Sequence, residues 1–420
     1  MATRPARTPS QSAPARPDSG LERYLKLSRL SYPVPAHGNT LPYTLGGIAL
    51  LGFLLLFVSG FLLAQFVDPS PERAYQSVKA LGERVPGGAW IRALHYWTAQ
   101  AVVAALALHV ARIVFSGAYK APRLVTWYVG LALLGLGVFG SYFSGTVLKW
   151  DQESFDALKH YEAGLTWLGP LGTFMGATDA VSLNVKLYAS HVSILPLVIV
   201  AFLIAHFYLV NTHSLSPLPY GEDSARESVP AERMTGTMVE HVKAIALFGG
   251  IYFGAVAMLA AVVPAPLGDP VTGEEMSLKP PWPFLWLYGL ENLTGKMDTM
   301  FHALGALFLA LAALPLVDRG AERHPARRKG VLAVSGTVMV AMIGLTVYAA
   351  ATPPQLHHHE HGISNAPAEP HDGMPITPMP HDAEMSDPAM PHETGTTHTA
   401  PPELAPANNH HDAAPHPHKP

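Results

Sequence analysis

Residues 95–109 read HYWTAQAVVAALALH and residues 191–206 read HVSILPLVIVAFLIAH. Each stretch is a histidine, a long and mostly apolar run, and a second histidine. The members of the first pair stand 14 residues apart (109 − 95) and those of the second 15 (206 − 191). An α-helix turns by ~100° and rises 1.5 Å per residue, so fourteen steps end about 40° short of a full turn and fifteen about 60° past one. Each pair therefore shares one helix face, with about 21 to 22 Å between its members along the axis.

The sequence around these stretches is that of a membrane protein with polar additions. Of its 420 residues 49% are hydrophobic and only 14% charged. A bilayer crossing needs about 20 apolar residues. Seven stretches qualify, at roughly 44–67, 92–116, 125–148, 188–211, 243–264, 299–317 and 330–350. The first 20 residues hold arginines but no apolar core, so they read as a cytoplasmic lead and not as a cleaved signal peptide. Basic residues cluster before the first span (Arg4, Arg7, Arg16, Arg23, Lys26, Arg29), after the second (Arg112, Lys120, Arg123) and between the sixth and seventh (Arg319, Arg323, Arg327, Arg328, Lys329). The positive-inside rule makes these ends cytoplasmic, with the N-terminus inside and the C-terminus outside. The net charge of −4 adds little to this asymmetry, and nucleic acid is not an expected partner. The absence of cysteine excludes disulfides, thioether-linked haem and cysteine-ligated iron–sulfur clusters within the chain.

In this topology the second and fourth spans are parallel. His95 then comes level with His191 near the outer face, and His109 with His206 near the inner face. Two facing imidazoles can ligate one haem iron axially, so two levels hold two b-type haems. A single histidine in a membrane helix is often only hydrogen-bonded within its bundle, and zinc would want a third and fourth ligand nearby. Two matched pairs on parallel helices are much harder to explain as packing. Gly46 and Gly60 of the first span are also 14 apart (60 − 46), placing small residues at the same two depths. Glycine lets a flat macrocycle approach the backbone, although helix–helix packing uses it equally well. Arg92, Arg112 and Arg123 stand where haem propionates would emerge; the plainer reading of each is an interfacial side chain reaching for headgroups.

With these residues the chain resembles the cytochrome b family of bc-type quinol oxidoreductases, and most of all its photosynthetic branch. AWIRALHYW, LHVARIVFSGAYKAPRLVTW and SHVSILPLVIVAFLIAHFYLV carry the resemblance, with VPAHGNTLPYTLGG at the entry to the first helix and LKWDQESF at the end of the third. It is specific over about 32–215. Over 240–320, VVPAPLGDP and KPPWPFLWLY resemble the three-helix part that the photosynthetic branch keeps as a separate subunit; here the two look fused. The resemblance implies an all-α membrane fold with a four-helix di-haem bundle and three further spans, to which the low-complexity composition adds a disordered His/Pro-rich C-terminal tail. It implies quinol oxidation at an outer pocket, with one electron passing to a Rieske iron–sulfur protein and a c-type cytochrome. The other crosses through two haems to a quinone at the inner face, in a homodimer within a larger complex of the cytoplasmic membrane.

The sequence departs from that pattern in four places. The family's outer pocket carries Pro-Glu-Trp-Tyr, whereas this chain has Pro280-Pro281-Trp282-Pro283, with no acid; Asp151, Glu153 or Glu291 could take its place beside Trp282. The family's proline before Trp150 is Lys149. Gly130 and Gly145 of the third span are 15 apart (145 − 130) instead of 14, which a local bulge would absorb. Thr44 stands where the photosynthetic branch attaches an extra haem through cysteine, so no covalent haem is expected. His213 lies where it could contact quinone, or it is a solvated loop histidine.

The expected organisation is a cytoplasmic lead with a short amphipathic surface helix (1–31), a four-helix di-haem domain (32–215), a three-helix quinol-site domain (216–352) and the outer tail (353–420). The tail carries twelve of the 22 histidines beside Met and acidic residues, so it is either a solvated low-complexity segment or a copper or zinc binder. Two rival functions remain at this stage. One is a di-haem conduit, without electron bifurcation, from the quinone pool to a different outer redox partner. The other is a membrane-anchored metal-binding or assembly protein.

Overall fold

The computed structural model describes residues 33–178, 180–273 and 278–354. The expected amphipathic helix at 22–30 and nearly all of the tail lie outside the described residues.

In chain order the helices are α1 (Leu41–Ala64), α2 (Ala74–Arg84), α3 (Gly88–Ser116), α4 (Leu124–Val147), α5 (Gln152–Thr166), α6 (Pro170–Met175), α7 (Leu183–His213), α8 (Met238–Val262), α9 (Leu285–Thr294), α10 (Asp298–Val317) and α11 (Lys329–Ala351). Among the described residues seven are long and apolar enough to cross a membrane: α1, α3, α4, α7, α8, α10 and α11. These match the seven expected spans to within a few residues at each end. Their outward faces carry exposed Leu54, Val58, Phe61, Leu197, Ile204, Met258 and Val340, as lipid-facing helices require.

Local chemistry sets the ends. Thr237 and Glu240 form a capping box that starts α8. The Asp151 carboxylate accepts the Ser154 N–H at 3.0 Å and starts α5. Gly117 (φ 62°) closes α3 in the left-handed conformation that lets the chain turn sharply towards α4. A two-stranded antiparallel pair, Pro33–Val34 with Gly236–Thr237, ties the entry of α1 to that of α8.

The two 15-residue spacings have a common cause. The spacings of 14, Gly46 to Gly60 and His95 to His109, run through uninterrupted α-helix. Each spacing of 15 meets a π-helical turn: Leu133–Phe139 lies between Gly130 and Gly145, and Ser190–Ile194 contains His191 and opens the stretch that runs to His206. A π-turn accommodates one additional residue without ending the helix. The expected bulge in the third span is therefore present, and the fourth span has one as well.

The main core cluster joins Ile48 and Phe53 of α1, Ala101 and Val102 of α3, Leu133 and Val138 of α4, Ile199 of α7, and Phe253 and Val256 of α8. On every histidine- or glycine-bearing helix these residues fall between the two marked positions, so the core fills the space between the two levels. The fifth span belongs to this core, packed on α1 and α3. At the His109 end, Asp318 binds Lys120 Nζ at 2.7 Å, Arg328 Nε at 2.7 Å and the Tyr119 hydroxyl. Arg328 also donates to the carbonyls of Val114 and Phe115. This buried network ties the α3–α4 turn to the α10–α11 connection.

Candidate haem and quinone sites

The four histidines sit as two levels, each histidine backed by a glycine. A Cβ built on Gly60 would lie 3.1 Å from His95 Cε1, and one on Gly145 would lie 2.9 Å from His191 Cε1. At the other level a Cβ on Gly46 would meet His109 Cε1 at 3.0 Å, and one on Gly130 would meet His206 Cε1 at 3.3 Å. The glycines of α1 therefore face the histidines of α3, and those of α4 face the histidines of α7.

At the first level the His95 and His191 ring centres are 6.4 Å apart. A metal–imidazole bond is about 2.0–2.1 Å, and adding ~1.1 Å from nitrogen to ring centre on each side gives about 6.3 Å for two rings sharing one ion. The spacing fits one metal ion between the rings. Among the described residues no three or more His, Cys, Asp or Glu side chains form a group that could hold a metal, so the donor set is paired imidazoles, which suits haem iron and not structural zinc.

Two serines that the sequence reading missed fix the protonation of this level. Ser59 Oγ donates to Leu55 O at 2.6 Å and lies 2.9 Å from His95 Nδ1. With its only proton committed to the carbonyl, the hydroxyl accepts from Nδ1–H. Ser144 repeats the arrangement, donating to Gly140 O at 2.7 Å and accepting from His191 Nδ1 at 3.0 Å. Both imidazoles then carry their proton on Nδ1 and leave the Nε2 lone pair for a metal. The available signal was the repeated Ser-Gly dipeptide at 59–60 and 144–145. At the second level His109 Nδ1 and His206 Nδ1 are buried with no hydrogen-bond partner among the described residues.

The three arginines divide. Arg112 has a buried Nε with no partner among the described residues and lies over the Tyr43 ring, 4.8 Å from its centre, an arrangement that suits an anionic ligand group. Arg92 donates to Ala265 O at 2.9 Å and to Pro266 O, holding the segment that follows α8. Arg123 donates to the carbonyls of His213, Ser214, Leu215 and Glu227 at 2.9–3.0 Å. Its guanidinium thus anchors the end of α7, where His213 is the last residue and has a buried Nδ1 with no partner among the described residues.

The candidate outer-pocket residues lie on the connections at the His95 end. Asp151 is fully buried, bound to Ser154, to Gly268 N at 2.8 Å and to Lys149 Nζ at 2.8 Å. Burial alone would raise its pKa, but Lys149 and these hydrogen bonds outweigh it and hold the carboxyl below its usual value. Glu153 pairs with the same lysine. Lys149, the residue in place of the family's proline, therefore occupies two of the three candidate acids. Trp282 is half-exposed and opens the turn into α9. Phe284 follows it and packs edge-on against Phe139 and Tyr142 at 5.4 and 5.5 Å. Glu291 is fully buried, and neither carboxylate oxygen accepts a hydrogen bond from a described residue.

Comparison with known proteins agrees with this geometry. Residues 100–270 match the family model described as Cytochrome b(N-terminal)/b6/petB. The cytochrome b6 of Heliobacterium mobile is 36% identical over 191 residues, covering 44% of this chain and 89% of that protein. The cytochrome b6 of Synechococcus sp. (strain RCC307) is 34% identical over 190 residues, covering 44% of this chain and 86% of that protein. In fold, a chain of a hyperthermophilic respiratory Complex III superposes with a TM-score of 0.65 at 23% identity, covering 80% of this chain and 91% of that one. The likeness in fold thus extends well beyond the stretch matched in sequence.

Proposed function

The chain belongs to the cytochrome b/b6 family, a multi-pass membrane cytochrome b of bc-type quinol oxidoreductase complexes, and on that premise we propose that it holds two b-type haems and couples quinol oxidation at the outer face to quinone reduction at the inner face. The observation that carries this reading is the set of four histidines, each backed by a glycine, at two depths of one bundle. His95 with His191 would hold the outer haem, and His109 with His206 the inner one. When bound, the haems supply one-electron carriers that let the two electrons of a quinol part.

The chain's own residues do the rest. Gly46, Gly60, Gly130 and Gly145 leave room against each imidazole. Ser59 and Ser144 fix the outer tautomers. Arg112 would meet a propionate, with Arg92 and Arg123 bracing the backbone at the two ends. His213 would border the inner quinone. The proposed partners are a Rieske iron–sulfur protein, a c-type cytochrome and a second copy of the chain, in the cytoplasmic membrane with the N-terminus inside. The di-haem part would comprise 32–215 and the quinol-site part 216–352, with the fifth span shared between them in packing.

The test is the optical spectrum of the quinol-reduced complex after a pulse of oxidant. Two b-haems that become more reduced when oxidant arrives support bifurcation. Haems that simply reoxidise mean a linear conduit, and a purified protein lacking haem refutes the assignment.

A further inference from the structure

Glu291 and His160 form a pair that stands outside the hydrophobic core clusters of the described residues. Glu291 Oε1 lies 3.7 Å from His160 Nε2, joining α9 to α5. The carboxylate is fully buried, whereas the His160 side chain keeps 20% of its surface exposed. A buried carboxylate without hydrogen bonds is costly, and proteins retain such groups chiefly where they have work to do. Asp151 shows the structural alternative, with a lysine, a serine and two backbone N–H groups around it. An aromatic wall leads towards the pair, with Phe284 against Phe143 at 6.4 Å and Phe143 stacked at 5.5 Å on Tyr161, the residue next to His160. This wall ties the Pro280–Pro283 run, which lacks the family's acid, to the helix that carries His160.

We propose that Glu291 is the proton acceptor for the quinol hydroxyl at the outer site, and that His160 relays the proton from it to the outer water. The proposal rests on the quinol chemistry proposed above and names the group that stands in for the absent motif acid.

The orientation of His160 fixes which nitrogen works. Its Nδ1 lies 2.8 Å from Asp156 O, a carbonyl that can only accept, so Nδ1 carries a proton and Nε2 is the nitrogen that titrates. Glu291 from α9 and Asp156 from α5 are the charged groups that act on it. Burial disfavours the imidazolium, but Glu291 and then Asp156 outweigh it and raise the pKa to about 9. At neutral pH His160 therefore rests with a proton on both ring nitrogens.

The proton step then balances as follows. The quinol O–H bond breaks as an O–H bond forms on Glu291, leaving a quinol anion. Neutralising Glu291 removes the main support for the imidazolium, so burial drives the Nε2 proton of His160 into outer water. Glu291 passes its proton to the vacated Nε2 and the pair is reset. One proton has left the quinol and one has reached the water. No electron moves in this step; the two electrons leave for the haem and iron–sulfur acceptors of the proposed reaction, and the second hydroxyl proton goes to outer water.

The test uses the purified complex, with Glu291→Gln and His160→Gln variants. Three readouts are taken: haem spectra, oxidant-dependent quinol oxidation across pH, and the redox-induced infrared difference spectrum in the protonated-carboxyl region. Glu291→Gln should keep both b-haem bands and haem reduction from the inner side. It should lose the carboxyl band and ~100-fold or more of the quinol oxidation rate, the usual span for a general base. His160→Gln should abolish a break near pH 9 in the wild-type pH profile. If Glu291→Gln does not assemble, His160→Gln, at the partly exposed end of the pair, still reads that break. A Glu291→Gln rate within twofold of wild type, or a break that survives His160→Gln, overturns the proposal while leaving the quinol reading intact. A wild-type complex with no oxidant-dependent quinol oxidation overturns both.

Discussion

Substituting Gly145 with alanine tests the fit of the haem site at its tightest point. The new Cβ would stand 2.9 Å from His191 Cε1, where ordinary carbon–carbon contact begins at about 3.5 Å. The ring must retreat by about half an ångström, yet its Nδ1 is tied to Ser144 at 3.0 Å on the same helix as the substitution. Overpacking of this kind costs about 1–3 kcal/mol. At 1.4 kcal/mol per decade, haem retention at the outer level should weaken about 5- to 150-fold. The helix itself gains about 0.5–1 kcal/mol from exchanging Gly for Ala, so helical content should hold or rise while haem is lost. Gly130→Ala is the internal control, because its Cβ would meet His206 Cε1 at 3.3 Å, where a shift of a few tenths of an ångström relieves the contact. The assay is the haem-to-protein ratio of the purified variants, with reduced-minus-oxidised spectra and circular dichroism. Equal haem loss from Gly130→Ala and Gly145→Ala, or full occupancy in Gly145→Ala, would refute the reasoning.

Three further outcomes follow from the geometry. Ser144→Ala removes the acceptor that fixes His191 as the Nδ1–H tautomer; with a less basic ligand, the outer haem's midpoint potential should rise and its retention should fall about 10-fold or more, as read by redox titration. Asp318→Ala leaves Lys120 and Arg328 buried without their common carboxylate, which should cost about 3–5 kcal/mol and lower the melting temperature of the purified protein. For Asp318, burial alone would raise the pKa, but Lys120, Tyr119 and Arg328 hold it below the usual value, and Lys149 does the same for Asp151. Folded-state values below the unfolded one mean that both contribute stability above about pH 4 and lose it as pH falls further. Thermal melting from pH 5 to pH 3 should therefore show a falling midpoint, with the Asp318→Ala variant falling less steeply; parallel curves would contradict the assignment.

The spans and the histidine ladder were legible because both are local. Hydrophobic runs of bilayer length and a repeat near 14 residues are properties of a single helix, and loop arginines mark its ends without reference to any other part of the chain. The extra residue between Gly130 and Gly145 was visible as an arithmetic excess, and the π-turn at Leu133–Phe139 is its local consequence.

What the sequence could not decide was which side chains meet. The three candidate acids look alike along the chain, but Lys149 lies beside two of them, and the third faces a histidine from a helix far away in sequence. Arg92, Arg112 and Arg123 read alike as candidate propionate partners, yet Arg123 is committed to three carbonyls at the end of α7 and to that of Glu227, while Arg112 keeps a buried nitrogen with no partner among the described residues. The hydrophobic pattern sets which face of each helix turns inward and at what depth. Only the packed bundle sets which charges and donors share a low-dielectric space, and there a shift of a few ångströms separates a structural ion pair from a group left able to react.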